Sequence, residues 1–339
     1  MDPFLFSHYR AIRERAALVD RSGMGRLWLT GRDRASYLQG LLSQDILALS
    51  PGAGCYATYL TPQGRMIADM HVLDLGDGLL VTLPGQVAGV VRDRFDELVF
   101  SEDVQVEDRT ATWASYSLYG RDAAPALAMA LGAGASGDLA TGLAKWPPWR
   151  TERHGLGSAS VVIAASDEIG VAGFDVHVAR AEQGGVEAAL AAAGAERVTP
   201  EAVTIVRVES GLPEFGADMD HETIPLEAGI EDRAISFTKG CYVGQEVIVR
   251  VRDRGHGRVV RRLVGLSVDG STVPARGDLV HAGDREVGRI TSAVFSPALG
   301  APIALGYVHR DFVEPGVGLL ISHGGVRLEA AVAALPFVR

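Results

Sequence analysis

The C-terminal part of the chain constrains its fold most tightly. From residue 263 onward, short β-branched runs recur at 263–268, 278–280, 286–290, 303–308, 318–322 and 326–332, with Gly, Pro or Asp turns between them at roughly regular spacing. Such runs are too short for helices and too numerous for one hairpin. Strands of this kind protect their edges best by closing on one another, so the pattern predicts a small β-barrel over 263–339. Residues 1–262 then form a separate domain, and its rhythm is different.

In that N-terminal part, 26–30 (RLWLT) reads as a strand, and Asp33 can cap a helix over 34–42. Residues 55–60 (CYATYL) and 66–75 form a hairpin about the turn 61–64 (TPQG), which has proline at its second position. A further strand at 79–83 and a helix at 86–95 follow. The hairpins imply antiparallel pairing, so the class is α+β. Further along, 170–178 (GVAGFDVHV) alternates as a strand does. Residues 182–195 read as a helix broken at Gly184-Gly185, and Pro200 opens a helix over 200–210.

The chain has 339 residues, 47% of them apolar, and a formal net charge of −10. An acidic molecule repels nucleic acid and anionic membrane, so neither is an expected partner. No window offers the ~20 apolar residues of a membrane span. Two cysteines in a chain this size fit a reducing compartment, and cytoplasm and a monomer are the expectation. The nine histidines form no metal-ligand spacing, and no phosphate-loop, dinucleotide-binding or serine-hydrolase motif occurs.

Three constellations could carry chemistry. The first is 239–246, KGCYVGQE, where two glycines flank Cys241 and Lys239 stands two positions before it. A neighbouring cation favours thiolate, so Cys241 is either a reactive thiol or the buried cysteine of a strand-entry turn. Lys239 is one of only two lysines among 32 basic residues. Cys55, in an alternating strand without a cation, reads as core. The second is 250–262, RVRDRGHGRVVRR, with six arginines and one acid, which reads as an anion-receiving island or a solvated strand pair. The third is 207–220, RVESGLPEFGADMD. There Glu209 ends a helix near a loop, where a carboxylate can take paired N–H donors or simply form a surface salt bridge.

Together these segments resemble a known family. KGCYVGQE resembles the signature of the YgfZ family, folate-binding proteins related to the T-protein (aminomethyltransferase) of the glycine cleavage system. Residues 59–72 (YLTPQGRMIADMHV), 170–178, 207–220 and 287–308 are similar to the T-protein in the same order, across nearly the whole chain. The resemblance implies a folate-binding domain of two interleaved subdomains around a central hole, followed by the barrel. Tetrahydrofolate or a one-carbon derivative would lie in the hole, held by Glu209, Asp69, Arg207, Tyr242 and Gln245. Cys241, Lys239 and Asp69 would be the catalytic set. Where T-proteins carry a paired Asp-Asp, this chain reads Ala68-Asp69, a loss that argues against aminomethyl transfer. The implied function is assistance to iron–sulfur cluster assembly or repair in client enzymes, tRNA-modifying enzymes among them. The alternatives are a folate-dependent aminomethyltransferase or demethylase, and a protein- or RNA-docking module built on 250–262.

Overall fold

The computed structural model describes residues 2–133, 137–254 and 258–338. Three β-structures organise them, and all three are α+β or all-β in the manner the sequence implies. The first sheet has the order β3 (Gly54–Leu60), β4 (Met66–Asp74), β5 (Leu79–Leu83), β2 (Gly25–Thr30) and β6 (Gln105–Asp108), antiparallel throughout. One of its faces packs on the helix Gly85–Glu97, whose Val87, Val91 and Phe95 lie a helical turn apart and are buried. Asp33 does not cap the helix Arg34–Leu41 with its side chain. Its carboxylate accepts instead from the Asp103 backbone N–H, tying the helix start to the approach of β6.

The second sheet runs β11 (Glu196–Arg197), β1 (Ala17–Asp20), β7 (Trp113–Tyr119), β10 (Gly173–Ala179), β9 (Ala159–Ser166) and β8 (Thr151–Leu156). Only β1 and β11 pair in parallel. The helix Gln183–Ala192 covers part of it and runs unbroken through Gly184-Gly185, contrary to the sequence expectation. The glycines fall in its first turn, while Val186 and Leu190, four apart, bury the same face. Burial of two such side chains, worth about 1.5–3 kcal/mol each, outweighs a glycine penalty of about 1 kcal/mol per residue.

The barrel closes in the order β12 (Arg261–Val268), β15 (Ala301–His309), β14 (Arg285–Ser296), β13 (Leu279–Ala282), β16 (Gly318–His323) and β17 (Val326–Ala333). Val264, Leu266, Ile290, Val308 and Ile321 fill its interior. Outside, Val208 of the helix Pro200–Glu209 packs on Ile303 and Leu305, seating the barrel on the rest of the molecule. The two open sheets share no strand. They meet along a seam in which Trp28, Leu73 and Leu80 of the first face Trp149, Val162 and Ala164 of the second side. Among the described residues, no helix is long and apolar enough to cross a membrane.

Residues 239–246 do not enter a strand. They form a loop that turns at Gly244, at φ +85°, into the short helix Gln245–Val249. The arginine-rich stretch continues that helix as a π-turn, Arg250–Arg254, and its residues 255–257 lie outside the described residues. Arg250 pairs with Glu246, Arg252 with Asp253, and Arg261 with Glu227, so these arginines of the island are engaged within the chain.

Candidate functional site

Strand β4 reads MIADMHVLD, and its alternation decides which side chains meet the cavity. Ala68, Met70 and Val72 point into the first sheet's apolar core. Asp69, His71 and Leu73 point the other way, towards the second sheet. Across the hairpin, Tyr56 of β3 stands opposite His71, which brings it beside Asp69. Tyr56, Asp69 and His71 line a cavity of about 470 Å³, within the size range of small-molecule sites. Glu168, Arg21, Arg207, Glu214 and Arg233 complete its charged wall.

Asp69 accepts a hydrogen bond from the Tyr56 hydroxyl at 2.7 Å. Burial pushes its pKa up to about 6, the Tyr56 bond pulls it back, and the charge of Glu168 raises it again. A carboxyl poised there can hold or release a proton near neutrality. His71 lies with Nδ1 3.1 Å from Glu168 and its ring stacked on Trp149 at a centroid distance of 3.9 Å. Burial lowers the His71 pKa, opposed by the Glu168 charge. Burial also opposes ionisation of Glu168, but His71, Arg21 and Arg233 outweigh it and hold its pKa below the ordinary carboxylate range. Arg21 reaches Glu168 at 3.1 Å. Behind this wall, Asp175 of β10 accepts from Ser117 and is pushed up to about 7 by burial and by Glu168. The cavity thus brings together Glu168, favoured in its charged form, His71, paired with it, and Asp69, a carboxyl near its midpoint, with Asp20 and Glu214 as further acids in the lining.

Of the residues singled out from sequence, Asp69 and Arg207 line the cavity. Arg207 is held rigidly: it donates to Asp218 and to the Leu212 carbonyl at 2.6 Å each, and to Ser292 of the barrel at 3.0 Å. Glu209 does not line it. It is fully buried, and its carboxylate accepts from Tyr9 at 3.0 Å, from Arg13 at 2.5 Å and from Ser296 of the barrel at 2.5 Å. Three protein donors occupy most of its acceptor sites, and it has no surface on the cavity wall, so the structure places it as a buried joint and not as the expected folate contact. Burial of Tyr9 itself, with the negative charge of Glu209 beside it, pushes its phenol up to about 12.

The thiol assisted by a lysine is corrected as well. The Lys239 ammonium donates to the carbonyls of Gln39 and Leu42 at 2.6 Å and of Gln44 at 3.0 Å. Its three N–H donors are used in this carbonyl cage, and none remains for Cys241, which is exposed. Burial lowers the Lys239 pKa to about 8. Tyr242 is buried in the first core with Lys239 over its ring, and Gln245 begins the short helix; neither lines the cavity. Cys55 is half-buried against that core, its thiol pushed up to about 12 by burial. The contacts of KGCYVGQE are with the neighbouring fold. A Cβ at Gly244 would stand 2.5 Å from the Thr61 carbonyl, so the loop lies directly against the hairpin turn that ends β3 and begins β4.

The Ala68-Asp69 substitution also takes on a different meaning. Ala68 is completely buried in apolar surroundings opposite Tyr59, so a carboxylate there would face the core, not the cavity. The cavity has lost no acid at that position.

Residues missed by sequence reasoning are Tyr56, His71, Glu168, Arg21 and Arg233. Period-two alternation from Asp69 marks His71, and the hairpin register marks Tyr56, so both were findable. Glu168, in the β9–β10 connection, and Arg21 and Arg233 in loops carry no local signal.

The chain is similar to known proteins over nearly its full length. Residues 1–239 match the GCVT N-terminal domain and residues 261–339 the glycine cleavage T-protein C-terminal barrel domain. An aminomethyltransferase of Rubrobacter xylanophilus is 31% identical, over 98% of this chain and 86% of its own length. One of Saccharopolyspora erythraea is 30% identical, over 98% and 89%. The crystal structure of glycine cleavage system aminomethyltransferase T from Bartonella henselae superposes with a TM-score of 0.87, at 20% identity, covering 98% of this chain and 89% of that one, a likeness of fold. These findings overturn the YgfZ resemblance drawn from residues 239–246, and the iron–sulfur role that hung on it loses its support.

Proposed function

The chain belongs to the glycine cleavage T-protein family, and from that premise we propose that it is a tetrahydrofolate-dependent aminomethyltransferase of the cytoplasm, working at the Asp69 cavity. Tetrahydrofolate is the one-carbon acceptor of this family, and when bound it supplies the nucleophilic nitrogens that receive the carbon. The residues present fit such a ligand. Asp69 and Glu168 offer carboxylate acceptors to the N–H edge of a reduced pterin, and the cavity is large enough for its ring. Arg207, anchored to Asp218 and Ser292, keeps the opposite wall in place.

The observation that carries the reading is the placement of Asp69: the carboxyl faces the cavity, bonded to Tyr56, with its pKa near 6. Transfer of a carbon to a ring nitrogen requires that nitrogen to lose a proton, and release of ammonia from an aminomethyl donor requires one to be supplied. A single carboxyl with a midpoint close to neutrality does both at little cost. Cys241 and Lys239 take no part in this reading.

The test is turnover by purified protein, with tetrahydrofolate and an aminomethyl donor, followed as ammonia release. Asp69→Asn is expected to lower kcat by about 100-fold or more, while calorimetric affinity for tetrahydrofolate changes only a few-fold. Full activity in that variant, or no binding of tetrahydrofolate by the native chain, would sink the proposal.

A further inference from the structure

His71 lines the Asp69 cavity, and the reaction proposed above does not use it. Alternation along β4 puts it on the same face as Asp69, two residues on, so the two groups stand about 7 Å apart along the strand. That spacing leaves room for reacting atoms between them.

The His71 ring is held from three sides. Trp149 stacks on it, the Tyr56 ring lies tilted beside it at 5.2 Å, and Nδ1 is 3.1 Å from Glu168 Oε1. Arg21 and Tyr119 meet the other carboxylate oxygen, Oε2, at 3.1 and 3.4 Å, which turns Oε1 to the imidazole. A neutral imidazole that donates its Nδ1–H to a carboxylate carries its lone pair on Nε2. That atom has no protein partner among the described residues and is not sealed from solvent. His177 of β10 is the contrast: its Nδ1 meets Ser115 Oγ at 2.8 Å, and its Nε2 is buried without a partner, as in a histidine kept for packing. Charges around His71 act in both directions. Burial, Arg233 and Arg21 lower its pKa, and Glu168 and Asp167 raise it, with a net fall. Asp69, beside it, is raised to about 6. A histidine of lowered pKa is a base at neutral pH, and a carboxyl of raised pKa keeps a share of its proton.

We propose that His71, oriented by Glu168, is a second catalytic group: the base that takes the proton shed by the acceptor nitrogen, while Asp69 gives its own to the departing amine. The inference rests on the aminomethyl transfer proposed above. One carboxyl can serve both ends only in turn, whereas two groups move both protons in one step. As the bond from the carbon to the acceptor nitrogen forms, the bond from that carbon to the amine breaks, its electron pair leaving with the amine. Asp69 protonates that pair and ammonia departs. Nε2 of His71 takes the acceptor's proton, and Glu168 balances the imidazolium, so the net charge of the cavity does not change.

Two measurements test this, the first without substrate. In the free protein carrying isotope-labelled histidine, nuclear magnetic resonance of the ring nitrogens should show His71 as the neutral Nδ1–H tautomer at pH 7.5, assigned by its loss in His71→Asn. An Nε2–H tautomer, or an imidazolium at that pH, would overturn the inference, because neither leaves a lone pair on the cavity side. His71→Asn keeps an N–H for Glu168 and removes the base. It should lower kcat about 100-fold and abolish the acid-side fall of the native kcat with pH, with calorimetric affinity for tetrahydrofolate within about threefold of native. A kcat near native, or loss of tetrahydrofolate binding in the variant alone, overturns this inference and leaves the proposed function standing. A native chain that does not bind tetrahydrofolate takes both down together.

Discussion

Asp69 carries two opposed demands in one side chain. Its pKa, about 6 in the folded protein, lies above the value near 3.9 of an unfolded aspartate. Between those values the native state holds more protons than the unfolded chain, so this group's contribution to stability falls as pH rises through the window. Above about pH 6 it is a net cost, on the order of 1–3 kcal/mol. Asp69→Asn should therefore raise the melting temperature by a few degrees at pH 7.5 and have little effect at pH 4, measured calorimetrically at both. A melting temperature that falls at pH 7.5 would show that the carboxylate stabilises the fold. Activity and stability are expected to move in opposite directions at this residue. The sequence placed Asp69 in the site, but it could not reveal that Ala68 is irrelevant to it. That required knowing which face of β4 is buried, and both faces of this strand are rich in apolar residues.

At the scale of elements, the loop 239–246 and the β3–β4 hairpin form one unit. Lys239 knots the loop to the carbonyls of 39–44, Tyr242 fills the first core, and Gly244 abuts the hairpin turn. Gly244→Ala combines a positive φ with a backbone clash, and should cost about 2 kcal/mol or more, shifting the hairpin that carries Asp69 and Tyr56. Cys241→Ser, at an exposed position in the same loop, should stay within about 0.5 kcal/mol and keep kcat. Denaturant melts and ammonia release on the two variants check this; a large kcat loss in Cys241→Ser would restore a chemical role to the thiol. The density of polar residues in KGCYVGQE was legible and suggested chemistry. Its contacts are with segments some two hundred positions away, and no local pattern announces a carbonyl cage.

At the scale of the molecule, strand content, the hairpins and the barrel were readable because alternation and turn residues are local. The assembly of these parts was not, because it depends on buried polar joints between distant elements. Glu209 is the principal one: it draws together the N-terminal helix Pro3–Glu14 through Tyr9 and Arg13, its own helix, and the barrel through Ser296. Removing one partner of a buried ion pair costs about 3–5 kcal/mol. Glu209→Ala should accordingly loosen the barrel from the body, seen as two separated unfolding transitions or as faster limited proteolysis near residue 258. A single unshifted transition would contradict this.

The seam between the two open sheets has a mechanical consequence. Because they share no strand, the width of the cavity between them is not fixed by a ladder of hydrogen bonds. It is fixed by side-chain surfaces, Trp28, Leu73 and Leu80 against Trp149, Val162 and Ala164, and by single polar ties such as Arg26 to Ser115 and His71 to Glu168. The width of the cavity is therefore written in side chains at the seam, where a substitution can alter it without breaking either sheet's own ladder.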